Sequence, residues 1–168
     1  MSSGLPATVD AIRLADIGTR LAGEIPLKAM PRLRDQCLDD RGEAGVDLLF
    51  ERSADRALRR IRGHISARVR VACQRCLEPM TLALEAKPSL LVVKADEHSE
   101  LLAQDADVLV AGKAVSLNEL VEDELLLTMP MIPMHELSEC PASASLQAQQ
   151  RSGANPFAVL DKLKDRGK

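Results

Sequence analysis

Aromatic side chains are almost missing from this sequence. It contains no Trp and no Tyr, and its two Phe residues are Phe50 and Phe157. Proteins that bind single-stranded nucleic acid without sequence preference stack its bases on aromatic rings. The shortage of rings excludes such a stacking platform. It also means that the core must be built from Leu, Val, Ile, Ala and Met, which belong to a hydrophobic fraction of 46%.

Long apolar runs are also missing. A membrane span needs roughly 20 consecutive apolar residues, and no stretch of the chain approaches that length. The first residues, Met1 to Asp10, lack the basic and then apolar layout of a secretory signal peptide. Both absences predict a cytoplasmic protein that contacts no membrane. In that compartment, cysteines are expected to be thiols or metal ligands rather than disulfides.

Recognisable catalytic motifs are absent as well. Gly63, Gly112 and Gly153 stand singly, so there is no glycine-rich phosphate loop. None of the three histidines lies beside a nucleophile motif. We therefore predict that the protein is not an enzyme and has no small-molecule substrate.

Charge is present but unevenly distributed. Residues 51–76 carry eight arginines and two acids, whereas residues 77–139 carry three lysines and thirteen acids. A guanidinium binds phosphate bidentately, so the arginines are candidate contacts to RNA, and acids of the later region are candidate contacts to a basic partner. The alternative is that the two regions pair with each other. The candidate residues are Arg59, Arg60, Arg62, Arg68, Arg70, Arg75, Glu122 and Asp123.

The clearest secondary-structure signal is a hairpin. Apolar and polar residues alternate over 65–73 and again over 80–86, on either side of a short turn. Ser116 followed by Glu119 is a capping box, and it predicts a helix over 116–128. These patterns predict an α+β fold with an antiparallel sheet or hairpin core, one or two packed helices and a flexible C-terminal segment. We expect one domain over 1–137, a flexible linker over 138–154, and a docking motif with a tail over 155–168.

Cys73 and Cys76 lie in the turn of that hairpin, where two sulfurs can hold one metal ion. Zinc normally takes four ligands, and His135 and Cys140 are the candidates that complete the set, with Cys37 more remote in the sequence. The alternative interpretation is a pair of reduced thiols. A third hypothesis is a thiol–disulfide oxidoreductase. In such enzymes the Cys-x-x-Cys motif lies at a helix N-terminus, which lowers the thiol pKa, whereas strands are predicted on both sides of this turn.

Four blocks, taken together, resemble the YceD family of bacterial large ribosomal RNA subunit accumulation proteins. The blocks are 71–76 (VACQRC), 120–127 (LVEDELLL), 130–135 (PMIPMH) and 155–160 (NPFAVL). The resemblance spans roughly residues 5–165, and it makes Asn155, Pro156 and Phe157 a family motif. Some relatives carry a second Cys-x-x-Cys where this chain has only Cys140, so the resemblance leaves His135 as the substitute ligand.

The resemblance implies a role in the synthesis, processing or stability of 23S ribosomal RNA. The expected partner is pre-ribosomal RNA or a protein of the large ribosomal subunit, and zinc is the expected cofactor if one is bound. It implies no catalytic residues. We therefore expect a non-catalytic accessory factor for large-subunit biogenesis. The alternatives are a zinc-stabilised protein-interaction adaptor and a thiol–disulfide oxidoreductase.

Overall fold

A mixed β-sheet with helices on one face forms the frame of the protein. The computed structural model describes residues 4–53, 58–94, 107–112 and 114–143. In chain order the elements are β1 (Thr8–Val9), α1 (Ala11–Ile17), β2 (Arg20–Pro26), a 3-10 turn (Leu27–Ala29), α2 (Pro31–Arg34), β3 (Glu43–Arg52), β4 (Arg59–Ala72), β5 (Pro79–Ala86), β6 (Ser89–Val93), β7 (Val108–Val110), β8 (Val115–Ser116) and α3 (Leu117–Thr128). These elements confirm the predicted α+β class.

Strand β4 is the longest described strand, with 14 residues. Strand β3 lies antiparallel along one edge of it, and β5 and β6 share the other edge. Ala86 of β5 lies opposite Ile65, and Ser89 of β6 lies opposite Arg62, so both strands keep the same register with β4. Strand β6 therefore continues the pairing of β5 along this edge of β4, and the pairing is interrupted at Lys87 and Pro88. The gap falls at a proline, which has no amide hydrogen to donate.

The sheet continues on both sides of this centre. Strand β2 pairs antiparallel with β3. Strand β7 pairs with β6 in parallel, a pairing that the sequence does not predict. Strands β1 and β8 form a separate two-stranded ladder next to the start of α3.

One face of β4 forms the core of the described chain. Ile61, Ile65 and Val69 are at most 1% exposed, and Ala67 is buried on the same face, while the even-numbered residues of β4 point away from the core. Helices α1 and α3 cover this face with Ala11, Ala15, Leu117, Val121 and Leu125. The core is aliphatic except for Phe50, as the composition predicts.

Helices α1 and α3 each begin at a side-chain cap. Ser116 accepts a hydrogen bond from the Glu119 amide at 3.2 Å, which confirms the predicted start of α3. Asp10 accepts from the Arg13 amide at 2.9 Å, and α1 ends at Gly18 with φ at 69°. That left-handed conformation suits glycine, because it has no Cβ. Within the part of the chain that the structure describes, no helix is long and apolar enough to cross a membrane.

Gly63 of β4 passes so close to β3 that it has no room for a side chain. A Cβ there would overlap the Asp47 carbonyl oxygen and lie 2.9 Å from the Leu48 Cα. Both are backbone atoms, which cannot rotate away. We expect Gly63→Ala to lower the free energy of unfolding by about 2–3 kcal/mol, measured by urea unfolding.

Gly45→Ala is the matched control for this prediction. A Cβ at Gly45 would meet the Ser66 Oγ at 3.4 Å, which is an ordinary contact with a side chain that can move. Its free energy of unfolding should therefore stay within about 1 kcal/mol of the unchanged protein. Equal effects of the two substitutions would contradict the steric explanation.

Candidate metal centre and basic sheet face

The turn between β4 and β5 is closed by backbone hydrogen bonds. The Cys73 amide donates to the Glu78 carbonyl at 3.0 Å, and the Leu77 amide donates to the Cys73 carbonyl at 2.8 Å. Leu77 takes a left-handed conformation with φ at 64°, which turns the chain back toward β5. This compact loop brings the Cys76 sulfur near the end of β4, where Cys73 lies.

The segment after α3 runs past this turn and is bonded to it. The Gln74 amide donates to the Pro133 carbonyl at 2.8 Å, and the His135 amide donates to the Cys73 Sγ at 3.4 Å. The chain then makes a helical turn, in which the Cys140 amide donates to the Glu136 carbonyl at 3.0 Å. Two regions that are about sixty residues apart are thereby fixed side by side.

This arrangement brings the four predicted ligands together. The ligand atoms of Cys73, Cys76, His135 and Cys140 all lie within 4.8 Å of one another. A tetrahedral ion with Zn–S bonds of about 2.3 Å holds its ligand atoms roughly 3.5–4 Å apart. The cluster is therefore nearly closed around a position that could hold a metal ion. Cys37 lies outside it, since its thiol donates to the Leu33 carbonyl at 3.1 Å.

The surroundings of the Cys73 sulfur stabilise its thiolate form. Burial opposes ionisation, but backbone amides of Cys76, His135 and Arg75 donate to the sulfur and lower the pKa of the Cys73 thiol to about 5. Burial raises the pKa of the Cys76 thiol, and the neighbouring sulfurs of Cys73 and Cys140 raise it further. A metal cation removes this repulsion, because it binds thiolates.

A low thiol pKa also suits thiol–disulfide exchange, so the accessibility of the sulfur decides between the two chemistries. Reactive cysteines are partly exposed and have a lowered pKa. Cys73 has the lowered pKa but is 0% exposed, and Cys76 is partly exposed but has a raised pKa. The thiol that ionises readily is therefore the one that a substrate disulfide cannot reach. The geometry therefore favours a set of metal ligands over an exchanging thiol pair.

A second feature is the row of arginines on the face of β4 that points away from the core, which we call the outer face. Arg60 and Arg62 form one pair of alternate positions on this face and Arg68 and Arg70 form another, with His64 and Ser66 between the pairs, and all four arginines are exposed. Arg59 points to the opposite face and binds Asp16 at 2.9 Å. Arg75 lies in the turn instead, and its Nη2 is 3.6 Å from the Met134 sulfur.

Two arginines of this row are held by acids and two are not. Arg62 binds Glu51 and Arg70 binds Asp39, each at 2.6 Å. Arg60 and Arg68 have no ion-pair partner among residues 4–53, 58–94, 107–112 and 114–143. The outer face therefore keeps two unpaired guanidinium groups about eight residues apart on one strand.

A depression of about 410 Å³ opens on the outer face beside the gap between β5 and β6. It is lined by Arg20, Asp47, Leu49, Arg62, Gly63, His64, Lys87 and Pro88. Sequence reasoning missed Arg20 and Lys87, since only the strand register brings them next to Arg62. The alternation of β4 alone could have identified His64, which lies two residues from Arg62.

The structure corrects the expectation that Glu122 is available to contact a basic partner, because it is buried. Its side chain is 2% exposed, and its carboxylate accepts from the Leu33 amide and from Arg32 at 3.0 Å. The carboxylate faces inward because Arg32 and the start of α2 meet α3 at that point. Asp123 is exposed and binds the same Arg32 at 2.6 Å.

The last predicted regions lie largely outside the described residues. Asn155, Pro156 and Phe157 are among them, as is most of the predicted linker over 138–154. The first residues of that linker are described, and they include the buried Cys140.

Comparison with known proteins identifies the family. The model of the family described as large ribosomal RNA subunit accumulation protein YceD matches residues 61–164. The chain belongs to the YceD family. A YceD relative from Haemophilus influenzae, named large ribosomal RNA subunit accumulation protein YceD, is 29% identical over 170 residues. The match covers 96% of this chain and 97% of that relative, and no solved structure matches.

Proposed function

We propose that this protein is a non-catalytic factor that promotes the accumulation of large-subunit ribosomal RNA by binding the RNA backbone. The observation that carries the proposal is the arginine row on the outer face, with Arg60 and Arg68 unpaired in the described chain. The name of the family supports the same class of partner.

The outer face suits phosphate better than bases. Alternate residues on a strand are about 6.8 Å apart and point the same way, so the guanidinium groups form a line. Arginine binds phosphate with two parallel hydrogen bonds. Among the described residues no Phe, Tyr or Trp ring is exposed for stacking on a base, because Phe50 is buried in the core. Recognition would therefore follow the backbone and the shape of folded RNA.

Neighbouring groups would extend this contact. Lys87 lies beside Arg62 at the depression and adds positive charge there, whereas Arg20 is ion-paired with Asp47 in the same depression. Glu51 and Asp39 hold Arg62 and Arg70 in defined positions while half of each arginine side chain stays exposed. A phosphate that approaches this face would meet guanidinium groups that are already placed.

We further propose that Cys73, Cys76, His135 and Cys140 hold a structural zinc ion. Three thiolates and one imidazole are a donor set of structural zinc sites, in which protein ligands fill all four positions. Bound zinc would tie the segment after α3 to the β4–β5 turn. It would leave no coordination position for a substrate, which agrees with a role in stability.

Loss of one ligand should remove the metal. We expect protein purified without chelator to contain about one zinc per chain, and Cys140→Ser to contain almost none, because three ligands bind structural zinc weakly. Elemental analysis measures the content. The melting temperature of Cys140→Ser should fall by roughly 10 °C or more, since zinc binding contributes several kcal/mol to folding.

Two variants are controls for the zinc prediction. Cys37→Ser removes a cysteine outside the cluster, and the protein should still bind zinc. His135→Cys exchanges one zinc ligand for another, so four ligands remain and the protein should also still bind zinc. A metal content near zero in the unchanged protein would contradict the zinc site. Unchanged content in Cys140→Ser would contradict this choice of ligands.

Reversing an unpaired charge on the outer face should weaken RNA binding. Arg60→Glu and Arg68→Glu should each lower the affinity for a transcribed fragment of large-subunit ribosomal RNA. Each should also reduce the slope of log affinity against log salt by about 1, because one phosphate contact is lost. Filter binding at several salt concentrations measures both quantities.

Arg13→Glu is the control, because Arg13 is an exposed arginine on α1 and lies outside the row. It makes the same change in net charge and should leave the slope unchanged. If all three variants change the slope equally, the effect is one of net charge and the outer face is not the binding surface.

Loss of the protein should lower the amount of large subunit in cells. Sucrose-gradient profiles of a strain without the gene should show a reduced ratio of large to small subunits, together with less 23S RNA. The unchanged gene should restore the ratio, and a gene with Arg60→Glu and Arg68→Glu should not. Normal profiles in the deletion strain would overturn the proposed function and favour an adaptor that is unconnected with ribosomes.

A further inference from the structure

Exposed apolar side chains gather beside the cysteine and histidine cluster. They lie on the β4–β5 turn and on the segment after α3, and we call them the apolar patch. Its members and their exposed fractions are Leu77 (75%), Met131 (99%), Ile132 (61%), Met134 (44%) and Leu137 (63%). Large apolar surfaces on a soluble chain are uncommon unless something covers them.

The patch is one surface because its two segments are bonded to each other. The hydrogen bond from the Gln74 amide to the Pro133 carbonyl fixes their distance, and the Arg75 guanidinium touches the Met134 sulfur. These contacts fix the backbones of the two segments relative to each other, so that their exposed side chains lie on neighbouring parts of the surface.

Acidic side chains surround the patch. Glu78, Glu136 and Glu139 are exposed on the same two segments. Arg75 is the one basic residue within 73–78 and 127–140, so acids outnumber bases there. An occupant that fits this surface has apolar side chains with positive charge around them.

The C-terminal segment of the same chain has this composition. Residues 144–168 contain five basic and two acidic residues. Phe157, Leu160 and Leu163 recur every three residues, a sequence spacing that is typical of one side of a helix. The basic residues are Arg151, Lys162, Lys164, Arg166 and Lys168.

The C-terminal segment also starts close to the apolar patch. The described chain ends at Ser143, three residues after Cys140 of the cluster. The eleven residues 144–154 can extend about 36 Å, which is enough to return to any part of the patch. A short tether of this kind gives an effective concentration in the millimolar range, so even a weak contact is occupied.

We propose that residues 155–164 dock on the apolar patch of their own chain. Phe157, Leu160 and Leu163 cover Met131, Ile132 and Met134, and the nearby lysines face Glu136 and Glu139. This contact requires no RNA, so it stands or falls separately from the proposed function.

The full-length protein with ¹³C-labelled methionine methyl groups tests the docking. A soluble nitroxide broadens the NMR signals of methyl groups that it can reach. In Phe157→Ala the broadening of the Met131 and Met134 signals should increase at least twofold, because the patch loses its cover. Met131→Leu and Met134→Leu assign the signals, and the buried Met30 should stay unaffected, which reports that the fold is intact.

Ile17→Ala is the matched control, because it shortens an apolar side chain that is 67% exposed but lies on α1. It should leave the broadening unchanged. Lys162→Glu combined with Lys164→Glu should increase the broadening without touching an apolar residue, and it decides the question if Phe157→Ala disturbs Met30.

Two results would overturn the proposal. One is equal broadening of Met131 in the unchanged protein and in these tail variants, which would mean that the tail does not cover the patch. The other is protection that appears only as protein concentration rises, which would mean that a second copy of the chain covers it.

Discussion

Strand β4 is the hydrogen-bonding partner on which the rest of the protein depends. Strand β3 occupies one edge, and β5 and β6 occupy the other, so the central part of the sheet is defined relative to this strand. Its alternation assigns every second side chain to the core. The intervening positions carry the arginines, and the strand leads directly into Cys73. A shift of one residue would exchange the two faces and move the core residues into water.

The cysteine and histidine cluster links this strand to the end of α3. His135 and Cys140 come from a segment that makes few regular backbone hydrogen bonds, so its position depends on contacts with the β4–β5 turn. Three sulfurs and an imidazole lie within 4.8 Å of one another, and the sulfurs of Cys73 and Cys140 raise the pKa of the Cys76 thiol because a charge on it would be repelled. A cation would convert this repulsion into attraction, and the apolar patch would gain a rigid support.

Local signals made much of this structure predictable. The hairpin follows from alternation in neighbouring residues, and the start of α3 follows from Ser116 and its N-cap bond. The four candidate ligands also followed from residue type and order, and the structure brings them together. Whether they bind zinc stays a prediction.

The features that were missed depend on distant residues. Glu122 reads as an exposed acid because its partner Arg32 lies 90 residues earlier in the chain. The short strand β7 has a parallel partner that periodicity cannot specify. The basic depression was missed for the same reason, since Arg20 and Lys87 reach it only through the register of three strands.

The gap at Pro88 has a consequence for how the sheet opens. Local unfolding breaks contiguous groups of hydrogen bonds, so an interruption in a ladder is a natural boundary between cooperative units. On one side of the gap lie β6 and β7, and on the other lie β5 and the cysteine turn. Opening of one unit therefore does not require opening of the other, so the amides on the two sides of Pro88 can exchange at different rates.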